Sequence, residues 1–220
     1  MGDLMRKRFA MLAAMHGLPP EYQRVEYVSG TGTQYISSGI ECTSDLAVRY
    51  AFEVSTSANS AFCGGINLSS PIFRHHGSPY HNTSAETRYM YNLSVNEVPS
   101  IPTSIAPPQL DTRYEVFVDP AAGEYAFTGP DYNESGTFTP LASKTTGKSY
   151  GILARISQAG AVQSRPSKVY YFKFYRGGRL IGDFIPCYRK ADNEPGMYDL
   201  VTNAFFTNAG TGTIGVGPDV

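Results

Sequence analysis

The sequence predicts an all-β fold, an antiparallel β-sandwich preceded by one short α-helix. Three observations carry that prediction. Short runs of alternating apolar and polar residues recur along the chain, as half-buried strands require. The 22 glycines and 15 prolines are spread between those runs, which is the punctuation of many tight turns. Residues 168–213 (KVYYFKFYRGGRLIGDFIPCYRKADNEPGMYDLVTNAFFTNAGTGT) carry the densest β-branched and aromatic signal and the clearest turns. Two half-apolar sheets bury their inner faces by packing on one another, so a sandwich is the economical arrangement.

The chain opens with MGDLMRKRFAMLAAMHG. Leu4, Met5, Arg8, Met11, Leu12 and Met15 have helical spacing. Asp3 stands where a cap is needed, and Gly17 with Pro19 and Pro20 stops the run. The apolar stretch 9–15 is at the short limit for a signal-peptide core, lacks a clear small-x-small cleavage site, and is too short to span a membrane. The expectation is an amphipathic anchoring helix over residues 1–17, whose Met-rich stripe suits docking on a partner. Packing back on its own domain is the alternative. Residues 18–220 form the β domain.

Within that domain, residues 24–28 and 33–36 read as strands around a turn at 29–32, and 37–40 as a second turn. In 45–54, Leu46, Val48, Tyr50, Phe52 and Val54 face one way and Ala47, Arg49, Ala51 and Glu53 the other, a half-buried strand. Residues 61–66 form a short strand in which Gly64 and Gly65 signal a bulge or a close backbone approach. Further strands are expected at 71–74, 88–93, 112–118, 124–128 and 149–155. Four prolines keep 96–109 irregular. Residues 129–140 read mostly as turn, with a short strand near 137–139, and 157–167 as loop. In the closing run Val169, Tyr171, Lys173 and Tyr175 share one face; Tyr170, Phe172 and Phe174 share the other, which is wholly aromatic and should meet the core. Arg176-Gly177-Gly178-Arg179 reverses the chain, because paired glycines accept the positive φ of a two-residue hairpin turn. Residues 180–185 return, and 197–201 with Phe205 and Phe206 make a last hairpin.

Composition excludes some roles. Net charge is −1 with no basic block, so a nucleic-acid-binding role, which needs clustered Lys and Arg, is not expected. Cys42, Cys63 and Cys187 are odd in number and widely spaced, against a disulfide framework or a zinc ribbon. Buried free thiols and a reducing cytosol are the expectation.

Catalytic patterns are missing. A glycosidase needs two carboxylates flanking the scissile bond; the nearest pair, Glu115 and Asp119, flanks a strand-to-turn junction and reads as solvated charge. No G-x-S-x-G, H-E-x-x-H or phosphate-binding loop occurs, so the chain reads as a non-enzyme. Recognition residues concentrate instead in residues 74–91. Arg74, His75, His76, Tyr80, His81, Asn82, Arg88, Tyr89 and Tyr91 supply the aromatic faces and planar polar groups that sugars require. Tyrosines that merely fill a sheet are the plainer reading, and the absence of Trp counts against tight glycan binding. His75, His76 and His81, or Asp131, Asn133 and Glu134, are the candidate metal ligands. Adjacent histidines on a strand point to opposite faces, and solvated loop residues are again plainer, so no metal or cofactor is expected.

Two long segments carry a family resemblance. LPPEYQRVEYVSGTGTQYISSGI, residues 18–40, and FIPCYRKADNEPGMYDLVTNAFFTNAGTGT, residues 184–213, resemble the opening and the ending of a lectin-like domain common in prophages and gut bacteria. The stretch between, about 59–149, matches by strand pattern only. The resemblance implies a concanavalin-A/laminin-G-like jelly roll, the two ends of the chain paired in one sheet, to which the short N-terminal helix read from residue spacing is added. It implies the setting of phage tail, baseplate and head-fibre proteins or bacterial surface proteins. The expected function is that of a virion structural protein displaying a domain for host-surface carbohydrate, held to other virion proteins by its N-terminal helix. A purely architectural virion protein and a bacterial surface lectin are the alternatives. Analogy with fibres extends the expectation to a homotrimer, and analogy with laminin-G domains to calcium, although the calcium motif itself does not match. The matching positions, turn glycines such as Gly32, Gly39, Gly210 and Gly212 and aromatics such as Tyr27, Tyr35, Tyr198 and Phe206, read as structural.

Overall fold

The computed structural model describes residues 17–56, 61–69, 72–81, 87–95, 98–99, 109–130, 132–141, 143–160 and 162–220. The helix expected over residues 1–17, with Leu4, Met5, Arg8, Met11, Leu12 and Met15, falls almost wholly outside them. The strands in chain order are β1 (Tyr22–Arg24), β2 (Val28–Gly30), β3 (Ile36–Thr43), β4 (Leu46–Val54), β5 (Cys63–Asn67), β6 (Phe73–His81), β7 (Thr87–Val95), β8 (Val98–Pro99), β9 (Tyr114–Asp119) and β10 (Glu124–Gly129). They continue as β11 (Tyr132–Thr137), β12 (Thr145–Ile152), β13 (Ala154–Ser157), β14 (Val162–Ser164), β15 (Ser167–Arg176), β16 (Arg179–Arg189), β17 (Glu194–Asp199), β18 (Ala204–Thr207) and β19 (Gly215–Val216).

Two sheets form a β-sandwich. The larger runs β11-β10-β9-β4-β15-β16-β17-β18, and the smaller β14-β13-β5-β6-β7-β8 with β12 and β3 beside β5. Pairing is antiparallel except between β13 and β5. Strand β1 joins β16, β2 joins β15, and β19 joins β2. A bridge between Val25 and Asp219 extends that last contact. The opening and closing segments of the domain are therefore paired in one sheet, as the resemblance implied.

The core lies between the sheets. Tyr50, Phe52, Phe172, Phe174 and Phe184 come from the large sheet; Phe62, Phe73, Tyr150 and Ile152 come from the small one, all fully buried. Their rings meet across the interface: Phe52 stacks on Phe62 at 4.6 Å, and Tyr150 lies 5.3 Å from Phe174. The three cysteines are free and buried.

Turn chemistry closes the hairpins. Gly177 and Gly178 have φ of 56° and 74°, with Arg176 paired to Arg179, the two positive values of a type I′ turn. The β17–β18 turn is held by Asp199, whose carboxylate accepts from the N–H groups of Val201 and Thr202, from the Thr202 hydroxyl, and from the Asp183 N–H of the neighbouring strand. Asn203 then takes positive φ. Asp119 likewise accepts from the Ala121 and Ala122 N–H groups, and Gly123 takes the positive φ.

Three expectations are corrected. Residues 37–40 are not a turn but the interior of β3, in which Gly39 takes a φ of 73°. Residues 129–140 hold a paired strand, β11, because β10 continues to Gly129 and reverses at once. Strand β4 is buried on both faces, with Arg49 alone exposed.

Candidate functional site

In the predicted recognition segment 74–91, residues 74–81 lie in β6, where His75, His76 and His81 had a loop as their plainer reading, and they pair with β7, which contains the strand expected at 88–93. Its backbone register sets Tyr80 opposite Arg88, Pro79 opposite Tyr89, Gly77 opposite Tyr91 and His81 opposite Thr87. Asn82 lies outside the described residues. Arg74 is half-buried. His75 and His76 are buried, at 0% and 4% exposure, so neither presents its ring to a surface ligand as expected of a solvated stretch. His75 enters the core: its Nδ1 lies 3.1 Å from the Thr43 carbonyl oxygen, and its ring meets Tyr150 edge-on at 5.5 Å. Burial pushes its pKa down to about 4. His76 points to the opposite face, where its Nε2 accepts from Arg155 Nη1 at 3.0 Å. Burial, then Arg155 and Arg74, hold it well below the usual imidazole range. Gly64 makes this packing possible. Its φ is 115°, and a Cβ there would stand 2.3 Å from the His75 carbonyl oxygen, the close approach expected of that glycine.

Glu134 accepts from the Tyr125 hydroxyl at 2.9 Å, and Asp131 lies outside the described residues. Among the described residues no group of three or more His, Cys, Asp or Glu is placed to hold a metal ion. Glu115 and Asp119 have structural partners: Glu115 pairs with Arg49 at 3.4 Å, and Asp119 holds its turn.

The built surface lies elsewhere, on the face of the large sheet turned away from the core. Its origin is one extra residue in β15. The register against β4 pairs Val169 with Phe52 and Tyr171 with Ala51, leaving Tyr170 as a β-bulge. Strict alternation put Tyr170 with Phe172 and Phe174. The bulge instead turns Val169, Phe172 and Phe174 into the core and leaves Tyr170, Tyr171 and Lys173 lining an open cleft on the outer face.

Around Tyr170 the side chains interlock. Its hydroxyl donates to Glu53 Oε2 at 2.8 Å, while Lys168 Nζ donates to Glu53 Oε1. Glu53 is 6% exposed. Tyr27 meets the Tyr170 ring edge-on at 5.6 Å, and the Arg113 guanidinium carbon lies 4.3 Å from the ring centroid. Burial and the Glu53 carboxylate raise the Tyr170 pKa, so it stays a neutral donor. Burial and a hydrogen bond to Glu115 do the same for Tyr171. Lys173 pairs with Asp183 across β16 at 3.1 Å.

These groups line a cleft of about 740 Å³, whose walls include Arg24, Arg113, Tyr170, Tyr171, Lys173 and Asp183. Leu18, Val25, Ile185 and Leu200 make its apolar side. A smaller hollow of about 320 Å³ beside Arg49, Phe117 and Tyr175 carries a second guanidinium over a ring, at 5.4 Å.

Neither a family model nor a curated protein matches this chain.

An open cleft with aromatic walls and fixed charged groups is suited to reversible recognition. Sequence reading placed Val169, Tyr171, Lys173 and Tyr175 on one face, of which Val169 instead lies in the core, and did not place the partners opposite. The polar half of 45–54, with Arg49 and Glu53, was the available signal. Arg113, in the turn before β9, and Asp183, in the returning strand, gave none.

Proposed function

We propose that this chain is a non-enzymatic structural protein of a phage or prophage particle, whose β-sandwich is a lectin-like domain of jelly-roll type that adheres to host-surface carbohydrate. The observation that carries the reading is the outer-face cleft, where tyrosine rings stand beside a guanidinium and an ion pair. Rings pack on the apolar faces of sugars, while planar and charged groups bond their hydroxyls. The virion setting rests on the resemblance of residues 18–40 and 184–213 to lectin-like domains of prophages. Residues 1–17 attach the domain to other virion proteins, and the protein is made in the bacterial cytoplasm before assembly.

The test is binding of the full chain to an array of bacterial surface glycans and to intact host cells. A saturable signal, competed by free sugar and lost in Tyr171→Ala with the fold intact, is the expected result. Silence from folded protein at high concentration refutes carbohydrate adhesion and leaves an architectural role. Deleting residues 1–17 should abolish incorporation into particles and leave the sandwich folded. Unchanged incorporation refutes the anchor.

A further inference from the structure

We propose that the cleft recognises a saccharide bearing a carboxylate, and that Arg113 is the residue that reads it. This rests on the saccharide reading above and names the chemical class of its ligand.

Arg113 is distinguished by the ring that it stands on. Arg49, Arg176, Arg189, Lys168 and Lys173 each have a carboxylate within ion-pair distance. Arg113 is exposed and, among the described residues, has none; its partner is the face of Tyr170. Stacking occupies one flat face of a guanidinium and leaves the N–H groups, which lie in its plane, free to donate. A pair of parallel N–H groups matches a carboxylate in bidentate fashion, the strongest of the common charge-assisted arrangements.

The support beneath Arg113 is built rather than accidental. Tyr170 is fixed by its bond to the buried Glu53, Glu53 is neutralised by Lys168, and Tyr27 closes the other side of the Tyr170 ring. Lys168 Nζ also sits 5.0 Å from the Tyr27 ring centroid. The platform therefore cancels its own charge and presents the Arg113 guanidinium to the cleft, beside an exposed Arg24 that likewise has no carboxylate at ion-pair distance among the described residues. A free carboxylate in solution would satisfy that cation equally well. The rest of the wall favours a sugar: Tyr171 offers a ring, and the Lys173–Asp183 pair offers donors and an acceptor for hydroxyls. The other charged groups of the cleft are Arg24 and Glu26, both exposed and of opposite sign.

The experiment measures affinity of the full chain by calorimetry for matched pairs of oligosaccharides. Glucuronate, galacturonate and sialic-acid oligomers are each compared with the carboxyl-reduced neutral counterpart, at low and at moderate salt. The expected result is an acidic member bound about tenfold or more tightly than its neutral partner, with the preference falling as salt rises. Arg113→Gln should abolish the preference and Arg113→Lys restore part of it, since an ammonium supplies charge without the fork. Arg176→Gln, outside the cleft, should change neither affinity. Equal affinities within every pair, or a preference that survives in Arg113→Gln, overturn the assignment while leaving a neutral-sugar site standing. Binding of no member of any pair overturns the saccharide reading itself and this inference with it. Acetate, included as a separate arm, distinguishes recognition of a carboxylated sugar from capture of any small carboxylate: weak acetate binding supports the assignment, and acetate bound as tightly as the acidic oligomers overturns it.

Discussion

Acid should unfold this domain through its two buried histidines before its carboxylates account for the loss. His75 is fully buried with its Nδ1 on the Thr43 carbonyl, and burial lowers its pKa from 6.5 to about 4. Asp45 nearby works weakly in the other direction. Above pH 6.5 the folded and unfolded chains both hold a neutral imidazole, so stability is independent of this group. Between 6.5 and about 4 the unfolded chain binds a proton that the folded chain does not, and stability falls as pH falls. Below about 4 both states are protonated and the loss levels off. The depression amounts to about 3 kcal/mol for His75 over that window. His76, held down by burial and by Arg155 and Arg74, adds to the same slope. The assay is urea unfolding between pH 7.5 and 4, followed by far-ultraviolet circular dichroism. His75→Gln keeps a donor for the Thr43 carbonyl and removes the titration. It should start less stable at pH 7.5 yet lose about 3 kcal/mol less on acidification than the parent. Identical pH slopes for parent and variant would refute the assignment of acid sensitivity to His75.

Two further substitutions test the packing. Gly64→Ala should cost about 3 kcal/mol or more, because it joins a positive φ to a clash with backbone atoms that cannot rotate away; the expected fall in Tm is about 6–12 °C. A fall of less than about 2 °C would mean that β5 and β6 have room to part. Asp199→Ala should cost about 2–4 kcal/mol in urea titration, since four donors lose their acceptor in a closed site; Asp199→Asn should recover part of it.

The fold was legible in the sequence wherever period and turn chemistry agreed. Residues 46–54 alternate cleanly, and their apolar set is the core-facing row of β4. Gly177 and Gly178 named their turn because no other residue pair accepts two positive φ values so readily. Residues 37–40 misled because Ser and Gly are read as turn formers, whereas Gly39 supplies a positive φ inside a strand. His75 and His76 misled through polarity: imidazole is counted among recognition groups, yet burial with one bonded nitrogen is equally open to it. The cleft was the least legible part. It joins β1, β15 and β16 with the segments that precede β9 and follow β17, and no local spacing encodes which residues so far apart in the chain become neighbours. A single bulge also inverted the assignment of Tyr170, because period-two reasoning fails across one inserted residue.

That inserted residue offers a direct test of how core and cleft are related. Val169 and Tyr171 already pair with Phe52 and Ala51, which are adjacent in β4. Deleting Tyr170 therefore closes β15 into regular alternation, with Val169, Phe172 and Phe174 still facing the core. The expected cost is about 1–3 kcal/mol, for one hydrogen bond to a charged acceptor. The cleft pays more heavily, since Arg113 loses its platform and Glu53 loses one of its two donors. The deletion variant should keep its circular dichroism spectrum and cooperative unfolding while losing the preference for carboxylated saccharide. Deleting Phe172 instead removes a fully buried core ring and should cost more than deleting Tyr170. If deletion of Tyr170 prevents folding, the bulge is a requirement of sheet curvature, and its presence is no argument for a site. If the variant folds and binds unchanged, Tyr170 is not the platform for Arg113. A folded variant that no longer discriminates is the outcome this geometry demands, because the bulge then contributes little to the core and much to the outer face.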